Sequence, residues 1–342
     1  MNSLYTYNLP PEAIASTPAS PRDSAKLMVF HIASNTIHLD TVRNLHKYLP
    51  PQSLLVMNHS KVLPCRVHAH SSKGPLELLV MTNSWKPTDT ILHASCNKKL
   101  HPGETVDLGE GKILTVLRSE EKVFEFKANF SLKKLPQVLA RLGEMALPPY
   151  IQNCPLTESE RRKKYQTILA DKPGSVAAPT AALHFTPRVL QSIKKHGIQE
   201  VPVHLHVGLG TFGPLLPEHL ASGQFYKEHY DIPPASQLKI QAHKNANQPI
   251  FAIGTTTTRT LESWAKTGQA QGETDLLITP PYSFQMIDGL LTNFHVPESS
   301  LMHLVEAFLQ FKGSKRHLKE LYALALENDF RFYSFGDAML LC

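Results

Sequence analysis

The sequence predicts an α/β main domain with a smaller inserted β-barrel domain, and three observations lead there. From about residue 165 onward, apolar strand patterns alternate with helical ones, as they do when helices connect the strands of a largely parallel sheet. Between about 64 and 130, short strand runs recur between turn signals, which suggests a small barrel or sandwich. Ahead of both lies a short segment that ends in a buried strand. The expected division is residues 1–63 and 149–342 for a discontinuous α/β catalytic domain, and 64–148 for the inserted barrel.

In chain order, the first segment opens with turns from Leu9-Pro10-Pro11-Glu12 through Pro18 to Pro21-Arg22-Asp23. An apolar run follows at 26–30, then a predicted helix over 43–49 and a buried strand over 53–57. The β-rich stretch has strand runs at 75–81, 90–94, 112–117 and 122–126. They are separated by Ser71-Ser72-Lys73-Gly74, His101-Pro102-Gly103 and Gly109-Glu110-Gly111. A predicted helix over 134–142 closes this unit, and Pro148-Pro149 and Pro155 mark its boundary. Beyond it, strands are expected at 201–207, 249–253 and 275–278, and helices at 187–195, 259–266, 299–309 and 315–326. No internal repeat or low-complexity tract interrupts the pattern.

Composition narrows the class. The 342 residues are 42% hydrophobic and 19% charged, with a mean hydropathy of −0.20, an ordinary globular balance with enough apolar mass for a core. No apolar run approaches the ~20 residues that cross a bilayer. The N-terminus reads as carrying no secretory signal. The four cysteines, Cys65, Cys96, Cys154 and Cys342, lie far apart and make no metal-knuckle spacing. A reduced, cytoplasmic protein that does not engage a membrane is expected. The formal charge of +6 is compatible with a polyanionic partner and equally with an ordinary solvated surface.

Several segments carry candidate chemistry. Gly208-Leu209-Gly210-Thr211-Phe212-Gly213 follows an apolar strand and matches a dinucleotide-binding fingerprint, with Glu228 twenty residues after Gly208. Pro214 and Pro217 oppose that reading, because a helix should begin there. His204 and His206 share a strand face, as do His68 and His70; each pair is a metal candidate lacking a third ligand, or a packed pair. A buried strand ending in Gly254 runs into Thr255-Thr256-Thr257-Thr258-Arg259. Four hydroxyls, one cation and a helix start suit a carboxylate or phosphate, although a threonine cap is the simpler account. His184, at the end of Ala177–Leu183, is a candidate general base. Asp288-Gly289-Leu290-Leu291-Thr292-Asn293-Phe294-His295 concentrates polar groups in a predicted loop, as a site or as a polar turn. Arg331-Phe332-Tyr333-Ser334-Phe335-Gly336-Asp337 either stacks a nucleobase or forms a final core strand.

Together these segments resemble the S-adenosylmethionine:tRNA ribosyltransferase-isomerases of queuosine biosynthesis, the QueA family. The resemblance spans nearly the whole chain. It runs through Pro21-Arg22-Asp23, Leu147-Pro148-Pro149-Tyr150-Ile151, Tyr165-Gln166-Thr167 and Lys172–Thr180 to Leu183-His184-Phe185. It continues through His206–Phe212, Gly254-Thr255-Thr256, Arg259-Thr260-Leu261-Glu262, Asp288, Leu291–Pro297 and Arg331–Ser334, and ends at Gly336–Met339.

The resemblance implies an α/β domain with an inserted barrel and a reaction without metal or cofactor, in which S-adenosylmethionine is a substrate. Its ribosyl part moves to a 7-aminomethyl-7-deazaguanine base in the tRNA anticodon and isomerises, giving epoxyqueuosine, adenine and methionine. The sulfonium acidifies the adjacent carbon, so a base is needed: His184 or His295. Asp288 or Asp337 is expected to orient that base or hold ribose hydroxyls. The start of the helix at Gly254, Thr255, Thr256 and Arg259 is expected to hold the methionine carboxylate or an RNA phosphate. Gly208, Gly210 and Thr211 are expected close to the nucleoside, with Thr292, Asn293 and Tyr333 also binding substrate. Lys61 and Arg66 are expected to line an RNA path, and a monomer is the expected state.

Departures from the family pattern are specific. Asn58-His59-Ser60-Lys61-Val62 stands where the family usually has Asn-Asp-Thr-Arg-Val, and lysine is not an equivalent donor to arginine. Gly213 replaces an arginine, and Ala182 and Pro281 replace glycines. Gly223–Glu228 keeps only the glutamate of a His-x-Met-His-x-Glu pattern, so Tyr226 stands at a histidine position. Besides the active enzyme, two alternatives are a diverged nucleoside- or tRNA-binding paralogue, non-catalytic or of altered specificity, and a nicotinamide oxidoreductase.

Overall fold

A computed structural model describes residues 5–120, 123–151, 154–208 and 215–342. Its main element is a nine-stranded mixed sheet. From one edge to the other the strands are Gln271–Leu276, Gln224–Asp231, Gln199–Leu205, Leu54–Asn58, Ile250–Ile253, Gly289–Asn293, Ala338–Leu341, Lys26–His31 and Thr36–Thr41. The expected largely parallel sheet is therefore corrected. Gln199–Leu205 through Gly289–Asn293 form a parallel centre, and antiparallel pairs predominate on either side.

The central strands are buried on both faces, which is why they read as continuous apolar runs. Alternation assigns their side chains to two cores. Met28, Phe30, Leu54, Val56, Ile250 and Leu290 pack with the helices Ser300–Phe311 and Leu318–Glu327. Leu27, Val29, Leu55, Met57, Ile253 and Leu291 face the opposite side, against the helix Pro187–Lys195. That helix matches its expected span. The helix expected over 43–49 is instead a 3-10 turn, Val42–Lys47. The helix Thr255–Thr267 begins four residues earlier than expected. The strand Gln224–Asp231 and the helix Pro234–Asn245 escaped sequence reading because neither carries a clear apolar stripe.

The second sheet closes on itself. Its order is Gly143–Glu144, Arg66–Ser71, Gly74–Val80, Ile91–Cys96, Val123–Ala128, Lys112–Glu120 and Thr105–Gly109, and Arg66–Ser71 also pairs with Thr105–Gly109. The register His70 opposite Asp107 joins the two ends into a six-stranded barrel. Leu76, Leu78, Val80, Val106, Leu114, Val116 and Phe126 fill its interior, and the helix Leu135–Leu142 packs against it.

Contacts among the described residues tie the barrel to the rest of the chain. Ser60–Val62 pairs in parallel with Lys172–Ser175, one segment on the way into the barrel and the other after it. The barrel turn Thr82–Ser84 brings Asn83 against Gly208. Among the described residues, no helix is long and apolar enough to cross a membrane.

Candidate functional site

Parallel strands deliver their C-terminal ends to one edge, where open α/β sheets bind ligands. Here that edge gathers Asn58, Val207, Gly254 and Asn293, with the loop ahead of Ala338 laid across it. A cavity of about 410 Å³ opens there.

Its first wall is a helix start. Gly254 has φ +90°, a region in which an L side chain is strained, and an added Cβ would stand 3.5 Å from the Ala181 methyl. The turn places the first turn of Thr255–Thr267, whose N–H groups have no acceptor within the helix, at the cavity. The four threonines have separate jobs. Thr257 Oγ1 donates to the Ile253 carbonyl at 2.8 Å and Thr258 Oγ1 to the Gly254 carbonyl at 3.2 Å. Thr255 and Thr256 line the cavity, and Asn58 Nδ2 donates to Thr256 Oγ1 at 3.3 Å.

The floor is the end of the strand Gly289–Asn293. Asn293 Oδ1 accepts from Thr180 Oγ1 at 2.8 Å, and its Nδ2 donates to His184 Nε2 at 3.2 Å and to the Asp337 carbonyl at 3.3 Å. His184 thus lies behind Asn293 and does not line the cavity. Burial, with Arg331 and Arg22 nearby, pulls its pKa down to about 4, so it is neutral at pH 7.

His295 does line the cavity. Its Nε2 lies 3.2 Å from Thr292 Oγ1 and its Nδ1 3.3 Å from Tyr322 Oη, while its backbone N–H donates to Tyr322 Oη at 2.9 Å and its carbonyl accepts from Tyr7. Burial lowers its pKa to about 3, leaving a neutral imidazole held from both sides.

The remaining wall is aromatic. Tyr150 and Tyr333 stand with ring centroids 4.5 Å apart, and Tyr150 Oη and Ser334 Oγ share a hydrogen bond of 2.6 Å. Tyr333 adopts φ +72°, and Gly336 permits the tight loop, since a Cβ there would stand 2.4 Å from the Arg331 carbonyl oxygen. Glu298 closes the rim, and no lysine or arginine lines the cavity among the described residues.

The cavity thus brings together Gly254, Thr255, Thr256, Thr292, Asn293, His295 and Tyr333 of the residues expected from sequence. Others lie elsewhere. Asp288 is corrected: its carboxylate accepts from the Ile250 N–H at 2.9 Å, at the N-terminal ends of the same strands. The Asp337 carboxylate is also turned away, accepting from the Lys26 N–H at 2.9 Å and the Arg331 N–H at 2.7 Å, and so pins the Tyr333 loop. Gly208 is a glycine for a different reason than the one expected, because a Cβ there would meet Asn83 Nδ2 at 2.6 Å. Arg259 is buried, pairs with Glu228 and donates to the Leu276 carbonyl at 3.0 Å. Gly210, Thr211 and Gly213 lie outside the described residues. Lys61 is exposed, and half-buried Arg66 lies 3.7 Å from Glu77 on the barrel.

After Gln199–Leu205 come the short helix Pro217–Ser222 and then Gln224–Asp231, which pairs antiparallel where a dinucleotide fold has a parallel strand. Glu228 accepts the Gly208 N–H at 2.8 Å. The dinucleotide alternative, which the prolines already opposed, finds no support in this connection. The departures from the family pattern that fall on described residues also lie outside the cavity lining. His59 pairs with Glu200 at 2.7 Å and lies 3.8 Å from Asp171, and Tyr226 is 40% exposed. Sequence reasoning missed Tyr150, Thr180, Glu298 and Ser334 as lining residues. Tyr150, Thr180 and Ser334 stood inside segments of the family resemblance, whereas Glu298, with its left-handed backbone of φ +58°, follows directly after one.

The family model described as "Queuosine biosynthesis protein" matches residues 2–341. The chain is 40% identical over 336 residues to the S-adenosylmethionine:tRNA ribosyltransferase-isomerase of Rubrobacter xylanophilus, covering 98% of this chain and 96% of that one. It is 38% identical to the protein of the same name in Heliobacterium modesticaldum, covering 99% of each. The crystal structure of S-adenosylmethionine tRNA ribosyltransferase from Thermotoga maritima is similar with a TM-score of 0.55 and 31% identity, covering 99% of this chain and 100% of that one.

Proposed function

The chain belongs to the family of queuosine biosynthesis proteins, the S-adenosylmethionine:tRNA ribosyltransferase-isomerases, and from that premise we propose how its cleft performs the reaction. S-Adenosylmethionine binds at the C-terminal edge of the parallel strands. Its ribosyl group moves to 7-aminomethyl-7-deazaguanine in the tRNA anticodon and isomerises, yielding epoxyqueuosine in the RNA with adenine and methionine released.

One observation carries this reading: the lining is aromatic at Tyr150 and Tyr333 and acidic at Glu298, lacks a basic side chain among its described residues, and faces a helix start. A sulfonium favours aromatic faces and a carboxylate nearby, and the anionic part of the same ligand favours the helix start. A substrate of opposite polarity would find neither.

In this reading His295 is the base. With its Nδ1 proton donated to Tyr322 Oη, Nε2 carries the lone pair and accepts from the Thr292 hydroxyl, which must turn aside for Nε2 to take the proton from the carbon next to the sulfonium. The imidazole is neutral at pH 7, so it does not need to lose a proton before acting. His184 positions Asn293, whose amide would hold a ribose hydroxyl, and Asp337 positions the Tyr333 loop. Lys61 and Arg66 lie on the route a tRNA would take along the seam between residues 64–148 and the remainder, the expected domain division. That substrate suits a cytoplasmic, monomeric enzyme.

The test incubates the protein with S-adenosylmethionine and an anticodon stem-loop bearing 7-aminomethyl-7-deazaguanine, with unmodified RNA as control. Mass spectrometry should show adenine release and epoxyqueuosine only with the modified RNA. Folded protein that binds S-adenosylmethionine but gives no turnover would refute the reading.

A further inference from the structure

We propose that a small side cavity off the cleft, lined by Arg259, seats the carboxylate of the amino-acid tail of S-adenosylmethionine; this rests on the substrate reading above. The cavity holds about 20 Å³, room for a group the size of a water or a carboxylate oxygen. Thr255, Thr256 and Leu301 line both it and the main cleft, so the two adjoin at the first turn of the helix.

Two independent sets of donors meet there. The first is the helix start, with backbone N–H groups that have no acceptor within the helix. The second is Arg259, whose side chain is only 9% exposed. Its Nε donates to the Leu276 carbonyl and one terminal nitrogen pairs with Glu228, while Nη2 is buried with no hydrogen-bond partner among the described residues. A buried guanidinium N–H without an acceptor is costly, and it marks a place built for an acceptor from outside.

The chemistry of the walls selects a carboxylate over an RNA phosphate. Phe225, Leu276, Ile278 and Leu304 enclose the space. A phosphodiester flanked by two riboses cannot enter so small an apolar pocket, but the end of an amino-acid tail can. Glu228 already balances the Arg259 charge, so the site offers directed hydrogen bonds in a low-dielectric setting and not a bare excess of positive charge. Four bonds separate a carboxylate carbon from the sulfonium, about 5 Å at ~1.5 Å per bond. The carboxylate in the side cavity therefore leaves the sulfonium in the main cleft, among Tyr150, Tyr333 and His295.

The experiment compares S-adenosylmethionine with its decarboxylated form, which keeps the sulfonium and nucleoside. Adenine release with the modified stem-loop is the readout. Wild-type kcat/KM should be roughly 10–100-fold lower for the decarboxylated form, the size expected of lost charge-assisted hydrogen bonds. Arg259→Gln should lower kcat/KM for S-adenosylmethionine by a clearly larger factor than it lowers that for the decarboxylated form, whose loss measures the unpaired Glu228 alone. Equal wild-type kcat/KM for the two substrates would overturn the assignment without any variant. Equal losses on both substrates in Arg259→Gln would reduce Arg259 to a structural role and overturn it as well. Absence of turnover with either substrate would instead bring down the substrate reading, and this inference with it.

Discussion

Replacing Gly208 with alanine separates two reasons for a glycine at that position. Sequence reasoning put Gly208 beside the nucleoside, whereas the structure puts it against the barrel. An alanine Cβ would stand 2.6 Å from Asn83 Nδ2 and 3.0 Å from Asn83 Cγ. Ordinary contact begins near ~3.5 Å, so Asn83 must move by roughly 1 Å. It is only 6% exposed, within the turn that docks the barrel. Overpacking of this kind costs about 1–3 kcal/mol. Asn83→Ala should relieve it, because Asn83 Oδ1 has no hydrogen-bond partner to lose among the described residues. The double variant should therefore recover most of the stability, with a coupling energy of about 1–3 kcal/mol. Urea unfolding of the four proteins measures this, with Trp85 reporting on the barrel side and Trp264 on the main sheet. Unchanged unfolding in Gly208→Ala, with a raised KM for S-adenosylmethionine, would refute the argument and return Gly208 to the substrate.

Three further outcomes are expected. His295→Gln should keep S-adenosylmethionine binding within a few-fold and lose at least ~100-fold in kcat, measured by adenine release; full activity would remove His295 as the base. Stability should fall on acidification, because His184 and His295 have folded-state pKa values of about 4 and about 3, below the usual ~6.5 of the unfolded chain. The unfolded state binds more protons below pH 6.5, so each histidine costs about 2 kcal/mol by pH 5, and His184→Gln should flatten that slope in urea titrations. Asp288→Asn should leave kcat/KM within about three-fold, since the five residues of Gly289–Asn293 place it ~16 Å from the cavity floor; a large loss would return it to the site.

Legibility followed the physics of each element. Gly289–Asn293 and Leu54–Asn58 were visible as continuous apolar runs because both of their faces are buried. Gln224–Asp231 was not, because it is an antiparallel strand whose first half is largely exposed and whose buried positions, Glu228 and Tyr230, include a charged residue. The same contrast holds in the site. Thr255, Thr256, Asn293 and His295 stood out because polar residues follow directly on buried strands. Glu298 and Thr180 gave no comparable signal.

By itself the sequence determined the two units, the strands that form the sheet's core, and a family resemblance borne on motifs in a set order. These depend on local periodicity and on residue identity, both of which are present in one dimension. Only the tertiary structure decided which polar residues share a cavity. Asp288 and His295 are seven positions apart in sequence, yet a strand carries them to opposite ends of the sheet. Glu228 and Arg259, on separate elements, meet as a buried pair. A strand's direction determines which end of it faces the ligand, and that direction is settled by pairing with strands far away in the chain, as Ile250–Ile253 pairs with Leu54–Asn58.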